Sequence, residues 1–362
     1  MSDKLTKKML PVYESMASPT LFLSGLFQSP ASNFYNSEEV EIDVVRYDEE
    51  ISIVIQDLST GGRNNKMDLY TNKRFKAPIH KEKTTINSFN LNQRIAGKNP
   101  FEDVIFQEVA TTKALTAIAQ MGSKIKRAIE LQASQVLQTG KLDLKDENGV
   151  SLYALDYKPK STHFFTASTT WDNIATATPL KDLETMMDLV RADGKVQADQ
   201  IIMGSAAFNY FIQSTEVKAA LDNRRITLGT ISPVAMRSDG GKYQGVLSIG
   251  NYMVDLWTYQ GFYENPETKA TVPYIDPAKV IVRASTARMD ATYGAIPRFN
   301  VPNAGLVLPF LPPRLSSVST GVDIYTNAYL TEGGEQLVVS ASSRPLMIPT
   351  AIDSFGCLDS GV

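Results

Sequence analysis

One helical spacing dominates this chain. Across residues 101–137, Ile105, Val109, Leu115, Ile118, Met121, Ile125, Ile129 and Val136 recur every three to four positions, the period of a helix with one buried stripe. At about 1.5 Å per residue such a helix spans about 50 Å, more than the diameter of a small domain. Asn99-Pro100 interrupts whatever precedes it, Gly122 is a candidate bend, and Gly140 followed by Lys141 suits a C-terminal cap. A rod of this length cannot bury itself within one compact lobe.

The segment before it has the same difficulty. Val40, Ile42 and Val44 alternate with Glu41 and Asp43, and Ile51, Ile53 and Ile55 resume the period after Asp48-Glu49-Glu50. Residues 57–66, Asp-Leu-Ser-Thr-Gly-Gly-Arg-Asn-Asn-Lys, are turn-rich. Residues 69–86 return with Tyr70, Phe75 and Ile79 among Lys73, Arg74, Lys76, Lys81 and Lys83. Residues 40–86 therefore read as one extended hairpin, acidic on one side and basic on the other. Its charges can pair across the hairpin or with another subunit; a solvated surface is the plainer alternative, since exposed ion pairs contribute little. A reaching hairpin beside a spine-like helix suggests a subunit built to contact its neighbours.

Residues 1–39 carry Pro11, Pro19 and Pro30 and apolar clusters at Met9, Leu10, Leu21, Phe22, Leu23, Leu26 and Phe27. This is an arm whose clusters must dock on the body or on a neighbour. Beyond the long helix the pattern shortens. Residues 152–168 are strand-rich, a helix opens at Pro179 and Asp182 and ends at Gly194, and Gln200-Ile-Ile-Met203 is a buried strand. Helices follow over 205–213 and 216–225, a strand pair over 246–257 and a buried strand at Val280-Ile-Val282. Short helices alternating with strands mark a compact α/β lobe. Residues 297–313 are proline-rich and irregular, 323–342 read as strands about Gly333-Gly334, and a last apolar strand starts at Arg344.

With 362 residues, 43% hydrophobic and 21% charged, the chain has about two domains' worth of core. A net charge of −3 argues against a dedicated nucleic-acid binder. The single cysteine, Cys357, excludes an internal disulfide framework and fits a reducing compartment. Neither a signal peptide nor a membrane span is expected. No phosphate loop, dinucleotide fingerprint or nucleophile elbow occurs. The two histidines, His80 and His163, stand on the hairpin return and a strand without an evident catalytic or metal-binding partner set. No catalytic, cofactor-binding or metal-ligating residue is assigned.

Three stretches carry a family resemblance. The first is residues 211–225, Phe-Ile-Gln-Ser-Thr-Glu-Val-Lys-Ala-Ala-Leu-Asp-Asn-Arg-Arg. The second runs from Tyr325 through Thr331, Gly333, Ser343 and Pro345-Leu346-Met347 to Asp353-Ser-Phe355. The third is Val136-Leu137 followed by Gly140-Lys141. In these, and in the order of its elements, the chain resembles the lambda-type major capsid proteins of tailed bacteriophages (the major capsid protein E family).

The resemblance implies an α+β fold of the Hong Kong 97 type. It implies an N-terminal arm (1–39), an extended E-loop hairpin with flanking strands (40–95), a peripheral P domain with the spine helix (96–170) and an α/β axial A domain (171–317). P-domain return strands (318–345) and a last A-domain strand with the tail (346–362) complete it. The implied function is self-assembly as pentamers and hexamers into the icosahedral head shell around dsDNA, which is enclosed without sequence-specific binding. Scaffold and portal proteins are the implied partners, with a decoration protein left open because the arm and residues 258–278 depart from the lambda pattern. The implied location is the virion capsid, after assembly in the host cytoplasm.

On this reading Arg63, Lys66, Arg74 and Lys76 are expected at intersubunit contacts, together with the apolar cluster Leu21, Phe22, Leu23 and Phe27 packed beneath a neighbour. Lys66 and Lys76 lie where some relatives of the fold crosslink through a lysine, and are read here as charged surface. Asp222, Arg224 and Arg225 are expected to shape the A domain near the capsomer centre. The rival readings are a cellular nanocompartment shell of the same fold and a two-domain enzyme with a cryptic site.

Overall fold

The computed structural model describes residues 21–45, 70–87, 106–146, 148–222, 240–296, 298–300, 316–318, 323–331 and 336–362. In chain order, β1 (Glu39–Val45) and β2 (Tyr70–Lys76) form a two-stranded antiparallel ribbon, from Glu39 opposite Lys76 to Val45 opposite Tyr70. The expected hairpin is shorter than its sequence pattern. Ala77-Pro78-Ile79 breaks the return, as fits a residue that cannot donate to a ladder, and β3 (His80–Asn87) joins a different sheet. Residues 46–69, including Arg63 and Lys66, lie outside the described residues.

The long helix α1 spans Phe106–Thr139, 34 residues. Ala114, Ala117, Ile118, Met121, Ile125, Ile129, Ala133, Val136 and Leu137 are buried along it, the stripe the spacing predicts. Gly122 lies inside the uninterrupted helix. Gly140 closes the helix at φ +65°, its N–H donating to the Val136 carbonyl at 2.8 Å. A Cβ there would sit 2.3 Å from Pro159 Cγ, so backbone angle and packing both call for glycine.

Two strands, β4 (Lys141–Lys145) and β5 (Ser151–Asp156), form a hairpin after α1. It is tied to the helix through Gln135, whose side chain bonds both the N–H and the carbonyl of Asp143. Next come β6 (Phe164–Thr166), α2 (Pro179–Gly194), β7 (Gln200–Met203), α3 (Ser205–Gln213) and α4 (Thr215–Asp222). They are followed by β8 (Gly241–Ile249), β9 (Tyr252–Tyr259), the short hairpin β10 (Phe262–Glu264) and β11 (Thr271–Pro273), then β12 (Lys279–Arg283). The chain continues through β13 (Asp290–Tyr293), β14 (Arg298–Asn300), β15 (Ser316–Val318), β16 (Tyr325–Leu330), β17 (Gln336–Ser343), β18 (Pro345–Ile348) and β19 (Phe355–Asp359).

A six-stranded mixed sheet runs β6-β19-β12-β7-β9-β8. Both of its faces are covered, which is why its strands read as continuous apolar runs. Val280 and Val282 face a core with Trp171, Leu183, Met186, Val190 and Phe211, while Ile281 between them faces a second core shared with α1. A three-stranded sheet, β16-β17-β3, rests on α1 through Val339, Ala341, Leu337 and Ile86. The α/β lobe and the strand pairs expected over 246–257 and 323–342 are all present, although the turn at Gly333-Gly334 lies outside the described residues.

Candidate assembly surfaces

The ribbon β1–β2 is fixed at its base. Val40 and Phe75 oppose each other there and are buried, and Phe75 packs edge-on against Tyr157 at 5.6 Å. Arg344, in the β17–β18 connection and only 6% exposed, anchors the same point. Its Nη1 donates to the Ala295 carbonyl at 3.0 Å and its Nη2 to Glu38 Oε2 at 3.3 Å. The Arg344 guanidinium, by hydrogen bond and by charge, holds the Glu38 carboxyl below its usual range. Lys76 Nζ joins the same carboxylate at 3.5 Å. One strand step along, Arg74 pairs with Glu41 at 2.5 Å. Of the basic residues expected at intersubunit contacts, Arg74 and Lys76 are thus engaged across their own ribbon.

The arm docks on the chain's own body. Phe22, Leu23 and Phe27 are buried within this chain, and Leu21 is half-buried. Apolar area of the arm is thus buried against the sheet and the spine helix of the same chain. Phe22 lies 5.4 Å from the Trp257 ring and 5.5 Å from that of Tyr259, above Gly241, where a Cβ would meet its ring. The anchor is Glu130 of α1, fully buried. Its carboxylate accepts the N–H of Leu23 at 2.8 Å, the N–H of Ser24 at 2.8 Å and the Tyr259 hydroxyl at 2.8 Å. Arm, spine helix and six-stranded sheet thus meet on one side chain.

Further along, the arm bridges β13 in parallel at Gln28–Asp290 and Phe34–Tyr293. Asp290 is a second buried acceptor, taking Asn33 Nδ2 at 3.1 Å, Arg288 Nε at 2.8 Å and the Thr350 hydroxyl at 2.6 Å. Glu130 had a visible signal: with Ala133 and Leu137 it falls on a helical spacing, an acid set in an apolar stripe. Asp290 and Arg344 had none, since their roles depend on strands brought together from distant parts of the chain.

The histidines act as structural pins. Burial pulls the His80 imidazole below its usual range, and its Nε2 lies 3.0 Å from Gln132 Nε2. His163 is fully buried, with Nδ1 2.9 Å from the Phe355 carbonyl and Nε2 3.1 Å from Asp193 Oδ2, so both ring nitrogens face acceptors. Burial pushes the Cys357 thiol up to about 12, far from a reactive thiolate. Helix α4 ends at Asp222; Arg224 and Arg225 lie outside the described residues. Among the described residues no helix is long and apolar enough to cross a membrane.

No curated protein matches the chain. Among solved structures, a protein assigned as the capsid protein of an Escherichia coli CFT073 prophage is similar over 98% of this chain and 98% of its own, with a TM-score of 0.65 at 15% identity. A phage-related protein of Bordetella bronchiseptica RB50 is similar over 98% and 96%, with a TM-score of 0.51 at 8% identity. These likenesses establish the fold, an α+β capsid fold of the Hong Kong 97 type. The family described as phage major capsid protein E matches residues 6–355. Matched over nearly its whole length, this chain belongs to the phage major capsid protein E family.

Proposed function

We propose that this chain is the head-shell subunit of a tailed phage, assembling as pentamers and hexamers into an icosahedral container for dsDNA. The observation that carries the reading is the ribbon β1–β2. It pairs with no third strand among the described residues, and an isolated two-stranded ribbon is marginal in water. Its base is locked by Arg344 and Glu38, which suits an element whose remaining stability comes from a neighbouring copy.

On this reading residues 40–95 are the E-loop region and 96–170 the P domain. Residues 171–317 form the A domain, 318–345 return to the P domain, and 346–362 supply the last A-domain strand and tail. Arg63 and Lys66 meet acidic groups of the adjacent subunit, and Asp222, Arg224 and Arg225 lie near the capsomer centre. The chain acts structurally, without catalysis. Its further partners are scaffold and portal proteins, with assembly in the host cytoplasm and residence in the virion.

Electron microscopy of the purified product tests the reading. Closed shells are expected, and a protein that stays monomeric at assembly concentrations would overturn it. Shells formed in the host that hold a cargo enzyme and no DNA would favour the nanocompartment. Replacing Arg63 and Lys66 together by Glu should abolish shells while leaving the subunit folded.

A further inference from the structure

Two exposed patches of opposite character remain after the fold is accounted for. The first is built from the hairpins β4–β5 and β10–β11, which touch at their tips: a Cβ on Gly149 would come within 2.7 Å of the Glu267 carboxylate. A bulge in the β4–β5 ladder pairs Leu144 with Tyr153 and Lys145 with Ser151, so Leu152 has no residue opposite it. Leu152 is 73% exposed, Val150 57% and Phe262 56%. The two hairpins carry the carboxylates Asp143, Asp146, Asp156, Glu264 and Glu267 against the cations Lys141, Lys145 and Lys269, with Lys141 already paired to Asp156 at 3.2 Å. Burying Val150, Leu152 and Phe262 would remove apolar surface from water, which the subunit alone does not do.

The second patch is the outer face of the sheet β16-β17-β3. The inner face rests on α1, with His80 at Gln132 and Glu82 paired to Lys124 at 3.5 Å. Alternation along β3 then points Lys81 and Lys83 away from the helix, and both are exposed. The cross-strand rows continue from Lys81 to Ser342 and Tyr325, and from Lys83 to Ser340 and Asn327, with no carboxylate in either row. Ile79, 51% exposed, and Tyr329, 46% exposed, flank this basic face. Within one chain the two patches do not pair. The hairpin β4–β5 is bonded onto α1 itself, whereas Lys81 and Lys83 point out of the other side of the sheet layer.

We infer that the acidic, apolar hairpin pair docks on the basic outer face of the β16-β17-β3 sheet of a second copy of this chain. Lys81 and Lys83 meet Glu264 and Glu267 across the contact, while Ile79 and Tyr329 receive the apolar tips. Two different patches of one chain that fit each other make a head-to-tail contact, the kind that closes into rings, and opposite charge sets its register. The inference rests on the shell reading above and adds the pairing of surfaces within it.

Charge exchange tests it. The double variants K81E/K83E and E264K/E267K should each cut the yield of closed shells at least tenfold, with the subunit still folded by circular dichroism. The quadruple variant should recover the yield to within twofold of the parent. Independently, K83C combined with E267C should give a disulfide-linked ladder in oxidised shells, native Cys357 being buried. Parental yield from both double variants, or no recovery and no ladder from the combinations, overturns the contact. The parent protein forms shells in either outcome; its failure to do so would count against the shell reading instead.

Discussion

Replacing Glu130 by Ala is the sharpest perturbation of the arm. The carboxylate is fully buried and accepts three hydrogen bonds, from the N–H groups of Leu23 and Ser24 and from the Tyr259 hydroxyl. Removing it takes this acceptor from three donors, the buried Leu23 N–H and Tyr259 hydroxyl and the half-buried Ser24 N–H, each loss costing about 1–3 kcal/mol. Even at the low end the sum is about 3 kcal/mol, and at about 1.4 kcal/mol per tenfold it multiplies the opening equilibrium of the arm about a hundredfold. The effect is local, because the arm can detach while the α/β lobe keeps its core. Hydrogen exchange read at the backbone amides of Leu23 and Ser24 should therefore accelerate about a hundredfold, while amides of β7 and β12 exchange as before. Glu130→Gln keeps one carbonyl oxygen and should fall between parent and Ala. Combining it with Tyr259→Phe should give less than the sum of the single effects, since the two share one bond. Unchanged exchange at Leu23 and Ser24 in the Ala variant would refute the claim that this side chain holds the arm.

Three further outcomes follow from the geometry. Arg344 holds the Glu38 carboxyl below the usual carboxylate range; a carboxyl lowered in the folded state contributes stability above its unfolded pKa and loses it as pH falls through the folded value. The fall in melting temperature on acidification below pH 4.5 should accordingly be shallower in Glu38→Gln than in the parent, and an identical slope would count against the anchor. Gly140→Ala forces an L side chain to φ +65° and into Pro159; it should lower stability by at least about 1–2 kcal/mol, read from urea unfolding of the subunit. Gly241→Ala should displace the Phe22 ring, a change visible as altered Trp257 fluorescence, because its Cβ would come within 2.4 Å of that ring.

What could be read from the chain followed its periodicities. The stripe from Ile118 to Val136 announces a helix whatever surrounds it, and Gln200-Ile-Ile-Met203 and Val280-Ile-Val282 are apolar on both sides because both faces of their sheet are covered. The hairpin pattern misled in one place. Residues 70–86 read as one return strand, yet Pro78 divides them between two sheets, and strand character alone carries no information about which partner a strand takes. The arm was legible only in part: an apolar cluster shows that burial is needed, not whose surface supplies it. Trp257 and Tyr259 supply it here for Phe22, with Glu130 holding the arm backbone, and Asp290 and Arg344 act through contacts far apart in sequence that no local spacing encodes.

The position of β19 also bears on how the subunit is made. Among the described residues β6, formed by residues 164–166, has β19 as its only neighbour in the six-stranded sheet, and β19 separates it from β12. A ribosome reads β6, β7, β8, β9 and β12 long before residue 355. During that interval β6 has no strand to pair with, and the core face that Leu358 completes stays open. The strands β12, β7, β9 and β8 can pair before β19 emerges, but the β6 edge of the lobe closes only after the spine helix and the ribbon have emerged. A growing chain thus carries the spine helix and the ribbon before the strand that completes the lobe has left the ribosome.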